Sequence, residues 1–173
     1  MSEDFEHRLP LNQIRDGARI DLIAAEAERD AVAARLGLPA IARLEAHATL
    51  SRDGDTVRAQ GRVKSALTQS CVATGEPIAA HVDEAFEIRF VPAPRAGAEE
   101  DVELTPEECD TVFHDGAAIE LGAAIADTLA LALDPYPRSA GADAVLKEAG
   151  VISEDQAGPF AALAQLKKGM AEE

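Results

Sequence analysis

The chain has 173 residues and a formal net charge of −16, enough for one domain with a sizeable core and too little for two complete cores. Hydrophobic residues make up 47 % but aromatics only 3 %, with no Trp, so the core has to be filled by Ala, Val, Ile and Leu. A pI near 4.5 disfavours gripping phosphate backbones by counterion release and favours basic protein partners.

The N-terminus MSEDFEHRLP places acids where a signal peptide needs basic residues, and no apolar run reaches the roughly 18 residues of a membrane span. The expectation is a cytoplasmic protein without membrane contact, in which Cys71 and Cys109 both stay as free thiols.

Alternation of Phe5, His7, Leu9 and Leu11 predicts a short strand, made an edge by Pro10, and Ala18–Leu22 reads as a second. From Ala24 to Leu36 the composition turns to Ala, Glu and Arg at helical spacing, with Gly37 and Pro39 as the stop. Ile41–Ser51 alternates again, and Asp53-Gly54-Asp55 predicts a hairpin into a strand over Thr56–Thr68. On that strand Val57, Ala59, Gly61, Val63 and Ser65 share one face. Arg58, Gln60, Arg62 and Lys64 share the other, the one basic stripe in the sequence.

The next strand, Ala80–Val91, draws its bulk from Val82, Ala85, Phe86, Ile88 and Phe90. After a Pro/Gly/Ala linker, Ala96 to Pro137 holds eleven acids and no Lys or Arg. Such a block reads as a solvated loop or as a docking strip for a basic partner. Leu121, Ile125, Leu129 and Leu133, with Ala124, Leu131 and Ala132 beside them, predict an apolar helix laid across the sheet and ended at Pro135. Near the C-terminus Phe160, Leu163 and Leu166, followed by Lys167 and Lys168, form a short amphipathic segment suited to a groove.

These elements predict an α+β fold: an antiparallel β-sheet or partly open barrel with helices packed on it. One domain over 1–138 would carry an acidic loop at about 96–116, and 139–173 would be a flexible tail with a short helical segment.

No catalytic constellation emerges. A zinc corner at Cys71 would want a second cysteine at Thr74. His47 and His81 read as surface residues, and His7 and His114 as isolated at loops or edges. Cys109 sits among Glu107, Glu108 and Asp110, which raise a thiol pKa rather than lower it. Cys71 is expected in the core. Glycines are scattered singly, without a phosphate loop, a nucleophile elbow or a dinucleotide fingerprint. The chain is therefore expected not to be an enzyme and to need no cofactor or metal.

Gln69-Ser70-Cys71-Val72-Ala73-Thr74-Gly75-Glu76-Pro77-Ile78, then Phe86-Glu87-Ile88-Arg89-Phe90, Ile119-Glu120-Leu121-Gly122, Leu131-Ala132-Leu133-Asp134-Pro135-Tyr136-Pro137 and a Pro159–Lys167 ending together resemble the YceD-like family. Its members are bacterial and plastid proteins associated with accumulation of the large-subunit ribosomal RNA. The resemblance covers most of the chain and marks Cys71, Thr74, Glu76, Pro77, Phe86, Phe90, Leu121 and Gly122 as signature positions. Thr74 departs from the Cys-x-x-Cys version of the corner.

The resemblance implies a non-catalytic factor supporting synthesis, processing or stability of that RNA. With this net charge, the expected mode is capture of a basic ribosomal protein or processing factor, ribosomal RNA being reached indirectly. The contacts expected are Glu99, Glu100, Asp101, Glu103, Glu107, Glu108 and Asp110, with Phe160, Leu163, Leu166 and Lys167. The competing expectation is direct RNA binding by Arg58, Arg62, Lys64 and Arg89. A metal- or redox-sensing role at Cys71 ranks third.

Overall fold

The computed structural model describes residues 5–94 and 110–151. The chain divides into two compact units, Met1–Gln69 with Ala79–Pro135, and Ser70–Ile78 with Tyr136–Glu173.

The larger unit is organised around an open five-stranded sheet. Its strands are β2 (Ala18–Ile23), β3 (Ala40–Asp53), β4 (Thr56–Ser70), β5 (Pro77–Pro92) and β6 (Thr111–His114), lying side by side in that order. A short β1 (Arg8–Pro10) pairs antiparallel with β7 (Ala118–Glu120) in a separate two-stranded ribbon. Helix α1 (Glu26–Leu36) follows β2 and ends at Gly37; α2 (Leu121–Ala132) follows β7.

Local chemistry accounts for most of these elements. Gly54, at φ 60°, occupies the first position of the two-residue loop that joins Asp53 to Thr56. A tight hairpin needs positive φ there, and glycine adopts it without a Cβ penalty. The period of two along β4 buries Val57, Ala59, Val63, Ser65 and Leu67 and exposes Arg58, Gln60 and Lys64. In β3 both Ile41 and Leu44 are buried although three residues apart, because a register shift between Ile41 and Arg43 resets the alternation.

One continuous apolar core joins the sheet to the helices. Leu44, Leu50, Val57, Val63 and Phe90 from the strands meet Val32 and Ala33 of α1 and Leu121, Ala124, Ile125, Ala126 and Leu129 of α2. Each fully buried aliphatic or aromatic side chain contributes about 1.5–3 kcal/mol relative to exposure, and the core has only Phe residues for aromatic bulk. The expected α+β class holds, with the sheet open instead of closed into a barrel.

Several sequence expectations are corrected. The strand foreseen around Phe5–Leu11 shrinks to β1, since Phe5 turns into the core and Leu11–Gln13 form a 3₁₀ turn. Ala85 is exposed, because it lies on the face of β5 opposite Phe86, Ile88 and Phe90. Leu131 is 86 % exposed: the face of α2 in the core is set by Leu121, Ile125 and Leu129, and Leu131 points away from it. Within the stretch foreseen as acidic loop, residues 111–114 form β6, parallel to β5 with Arg89 beside Thr111 and Pro92 beside His114. Among the described residues no helix is long and apolar enough to cross a membrane.

Among the described residues of the smaller unit lies α3 (Ala142–Glu148), which the sequence reading does not anticipate.

Candidate functional site

Two places among the described residues carry side chains singled out from sequence: the outer face of the sheet and the Cys71–Pro77 corner.

On the outer face, alternation aims Arg58, Gln60, Arg62 and Lys64 away from the core, and β5 lies alongside with Asp83 and Glu87 on the same side. Arg58 Nη1 donates to Glu87 Oε1 at 2.7 Å and Gln60 Nε2 to Glu87 Oε2 at 2.7 Å. Arg62 Nη1 donates to Asp83 Oδ1 at 2.7 Å, and Lys64 Nζ stands 3.7 Å from Asp83 Oδ2. Each carboxylate therefore bridges two donors of the stripe. Such exposed pairs contribute little stability, about 0–1 kcal/mol each, but they lower the positive charge of the stripe locally. Arg89 is two residues beyond Glu87 on β5, so the structure brings all four candidate RNA-contacting cations to one face.

The corner is held by backbone and side chain together. Cys71 N–H donates to the Glu76 carbonyl at 2.8 Å and Gly75 N–H to the Cys71 carbonyl at 2.9 Å. Ser139, 63 residues from Glu76 in sequence, closes the arrangement: its Oγ donates to Glu76 Oε2 at 2.7 Å, and its amide donates to Cys71 Sγ at 3.3 Å. Thr74 Oγ1 lies 3.0 Å from the same Glu76 oxygen and 3.4 Å from Ser139 Oγ. Val72 N–H donates to the Pro137 carbonyl at 2.9 Å.

Two ionisable groups respond. Hydrogen bonds from Ser139 and then Thr74 hold the Glu76 carboxyl below the usual carboxylate range. The Cys71 thiol is lowered to about 6, chiefly by hydrogen bonding from Thr74 and from the Ser139 amide, against the opposing effect of burial. Cys71 is 3 % exposed and a free thiol. It is buried, as expected, and it is also hydrogen-bonded within a polar knot. Thr74, found where a second cysteine would complete a metal-like corner, supplies a hydroxyl to that knot. Among the described residues no three His, Cys, Asp or Glu side chains gather as metal ligands.

Of the acidic candidates, Asp110 is described: it precedes β6, and its carbonyl accepts the Arg89 N–H at 2.9 Å. Glu99, Glu100, Asp101, Glu103, Glu107 and Glu108, together with Cys109, Phe160, Leu163, Leu166 and Lys167, lie outside the described residues.

The reading of His114 as an isolated loop or edge residue is corrected. His114 is 6 % exposed, its Nδ1 accepts the Gly116 N–H at 3.0 Å, and the remaining nitrogen, Nε2, donates to the Asp55 carbonyl at 2.8 Å. It ties β6 to the β3–β4 hairpin. Asp115 beside it is held below its ordinary range by the Ala117 and Ala118 amides and by Arg8. The signal available in the sequence was Asp115-Gly116, a turn pair immediately after the β-prone run Thr111-Val112-Phe113-His114.

Phe86 and Phe90 are 9 % and 0 % exposed and Leu121 is fully buried, so these signature positions build the core; Pro77 opens β5. An open, mostly antiparallel sheet backed by helices, with a polar knot at the β4–β5 connection, defines a small α+β protein. The family model of the large ribosomal RNA subunit accumulation protein YceD matches residues 59–167, and the chain belongs to that family. No curated protein and no solved structure matches it.

Proposed function

We propose that the chain is a non-catalytic cytoplasmic factor that supports processing or stability of large-subunit ribosomal RNA by holding a basic ribosomal protein or RNA-processing factor. The observation that carries this reading is the pairing of the basic stripe with its own sheet: Arg58 is bound to Glu87, and Arg62 and Lys64 share Asp83. A surface that gripped RNA by counterion release would hold those cations free for phosphate. In a chain of net charge −16, complementary attraction is strongest toward a basic protein and speeds its encounter. The acids from Glu99 to Asp110 are the proposed contact, with the Phe160–Lys167 segment adding apolar anchors.

Affinity capture from cells at low salt, followed by elution at high salt, tests the proposal. Basic proteins that elute with salt are expected, because screening shortens the reach of exposed charges to about 3 Å at 1 M. Tight retention of ribosomal RNA at physiological salt without a basic protein would overturn it.

A further inference from the structure

We propose that β2 is an isologous dimer edge, along which a second copy of this chain adds its own β2 antiparallel so that the two sheets become continuous. Independent of the reading above, the inference starts from which backbone groups β2 leaves over. Its register with β3 places Ala18 beside Leu50 and Leu22 beside Ala46, and among the described residues β3 is its one neighbour in the sheet. Just past the strand, Ala24 N–H donates to the Leu44 carbonyl at 3.0 Å. Alternation then directs the N–H and C=O of Leu22 and Ile20 toward β3 and those of Ile23, Asp21 and Arg19 toward the outer edge. Such an edge is a template for another strand unless something blocks it.

The side chains decide what the template accepts. Arg19, Asp21 and Ile23 are exposed on the solvent face, whereas Leu22 is buried and Ile20 packs against the core. Neither Arg19 nor Asp21 makes an ion pair among the described residues. If two β2 strands meet antiparallel about Ile20, Arg19 of each copy stands opposite Asp21 of the other, and those are the residues whose backbone groups face outward. The same register is therefore hydrogen-bonded and charge-matched twice over by the two-fold axis. Shifting it by one pairing step sets Asp21 against Asp21, which like-charge repulsion disfavours. Ile23, 78 % exposed in the single chain, then lies diagonal to Arg19 of the second copy, whose methylene stem can cover it.

Sedimentation velocity of the full chain at physiological salt, over a range of protein concentrations, tests this. A reversible dimer is expected. Asp21→Arg alone, or Arg19→Asp alone, places like charges opposite each other in both symmetry-related pairs and should weaken the dimer about tenfold. The double variant Arg19→Asp/Asp21→Arg reverses both signs and should restore it. Circular dichroism and thermal unfolding of the single variants check that each remains folded. A chain that sediments as a monomer at every concentration overturns the proposal. So does a dimer that the single variants leave intact, or one that the double variant fails to restore.

Discussion

Gly122 packs directly against the carbonyl of Phe5: a β-carbon there would overlap the Phe5 oxygen and stand 2.7 Å from the His7 nitrogen. The first turn of α2 is thereby clamped under the N-terminal segment, with Leu121 N–H donating to the His7 carbonyl at 3.1 Å. Both neighbours are backbone and cannot swing aside. Gly122→Ala should therefore lower stability by about 1–3 kcal/mol, the usual cost of forcing extra volume into a packed site, even though Ala is the better helix former. Urea unfolding of the variant checks this; an unchanged midpoint would show that the Phe5–His7 segment yields without cost.

Ser139 and Glu76 give the corner a pH dependence. The folded carboxyl of Glu76 lies below its ordinary value, so the unfolded segment binds the proton more readily at mildly acid pH. The contribution of Glu76 is complete at neutral pH and is lost as pH falls through the folded value. Ser139→Ala removes the first of its two donors and should move the Glu76 titration upward, followed by NMR of the side-chain carboxyl. A midpoint that stays put would mean that Thr74 alone holds the charge.

Cys71 should titrate near 6, against about 8.5 for a free thiol. Its folded value is depressed, so its stabilising effect is present at alkaline pH and fades as pH falls through that midpoint. In a Cys109→Ser background the ultraviolet absorbance of the thiolate reports it directly. Thr74→Val removes the leading hydrogen bond and should raise the midpoint; an identical curve would assign the shift to the Ser139 amide.

Asp83 and Glu87 should matter more for what the sheet repels or accepts than for its stability. Asp83→Asn with Glu87→Gln is expected to change the unfolding free energy by less than about 1 kcal/mol for each pair, since all the partners are about half exposed. The same double variant should retain more ribosomal RNA in a low-salt filter assay, with the gain lost on adding Arg58→Glu, Arg62→Glu and Lys64→Glu. Equal retention by parent and double variant would assign the exclusion of RNA to the overall charge instead of to these two carboxylates.

Much of the fold was legible because it rests on local rules. Gly54 between two aspartates marks a reversal wherever it occurs, and the period of two along β4 names its buried face before any partner strand is known. The Leu121, Ile125 and Leu129 spacing likewise identifies the face of α2 that enters the core. Harder to read was β6, whose pairing with β5 is parallel and non-local, inside a stretch dominated by acids. In the sequence His114 reads as isolated because its two hydrogen-bond partners come from a turn next door and a hairpin 59 residues away.

The amino-acid sequence by itself determined β2 to β5, α1 and α2, the buried face of β4 and the Leu121, Ile125 and Leu129 face of α2, and the signature positions of the family, since backbone geometry sets those periods over a few residues. The tertiary structure alone decided that Asp83 and Glu87 pair with the stripe, that Ser139 draws Cys71 and Glu76 into one knot, and that Phe5 requires a glycine at 122. Each of those depends on sheet order or chain return, which bring together groups that no local periodicity relates.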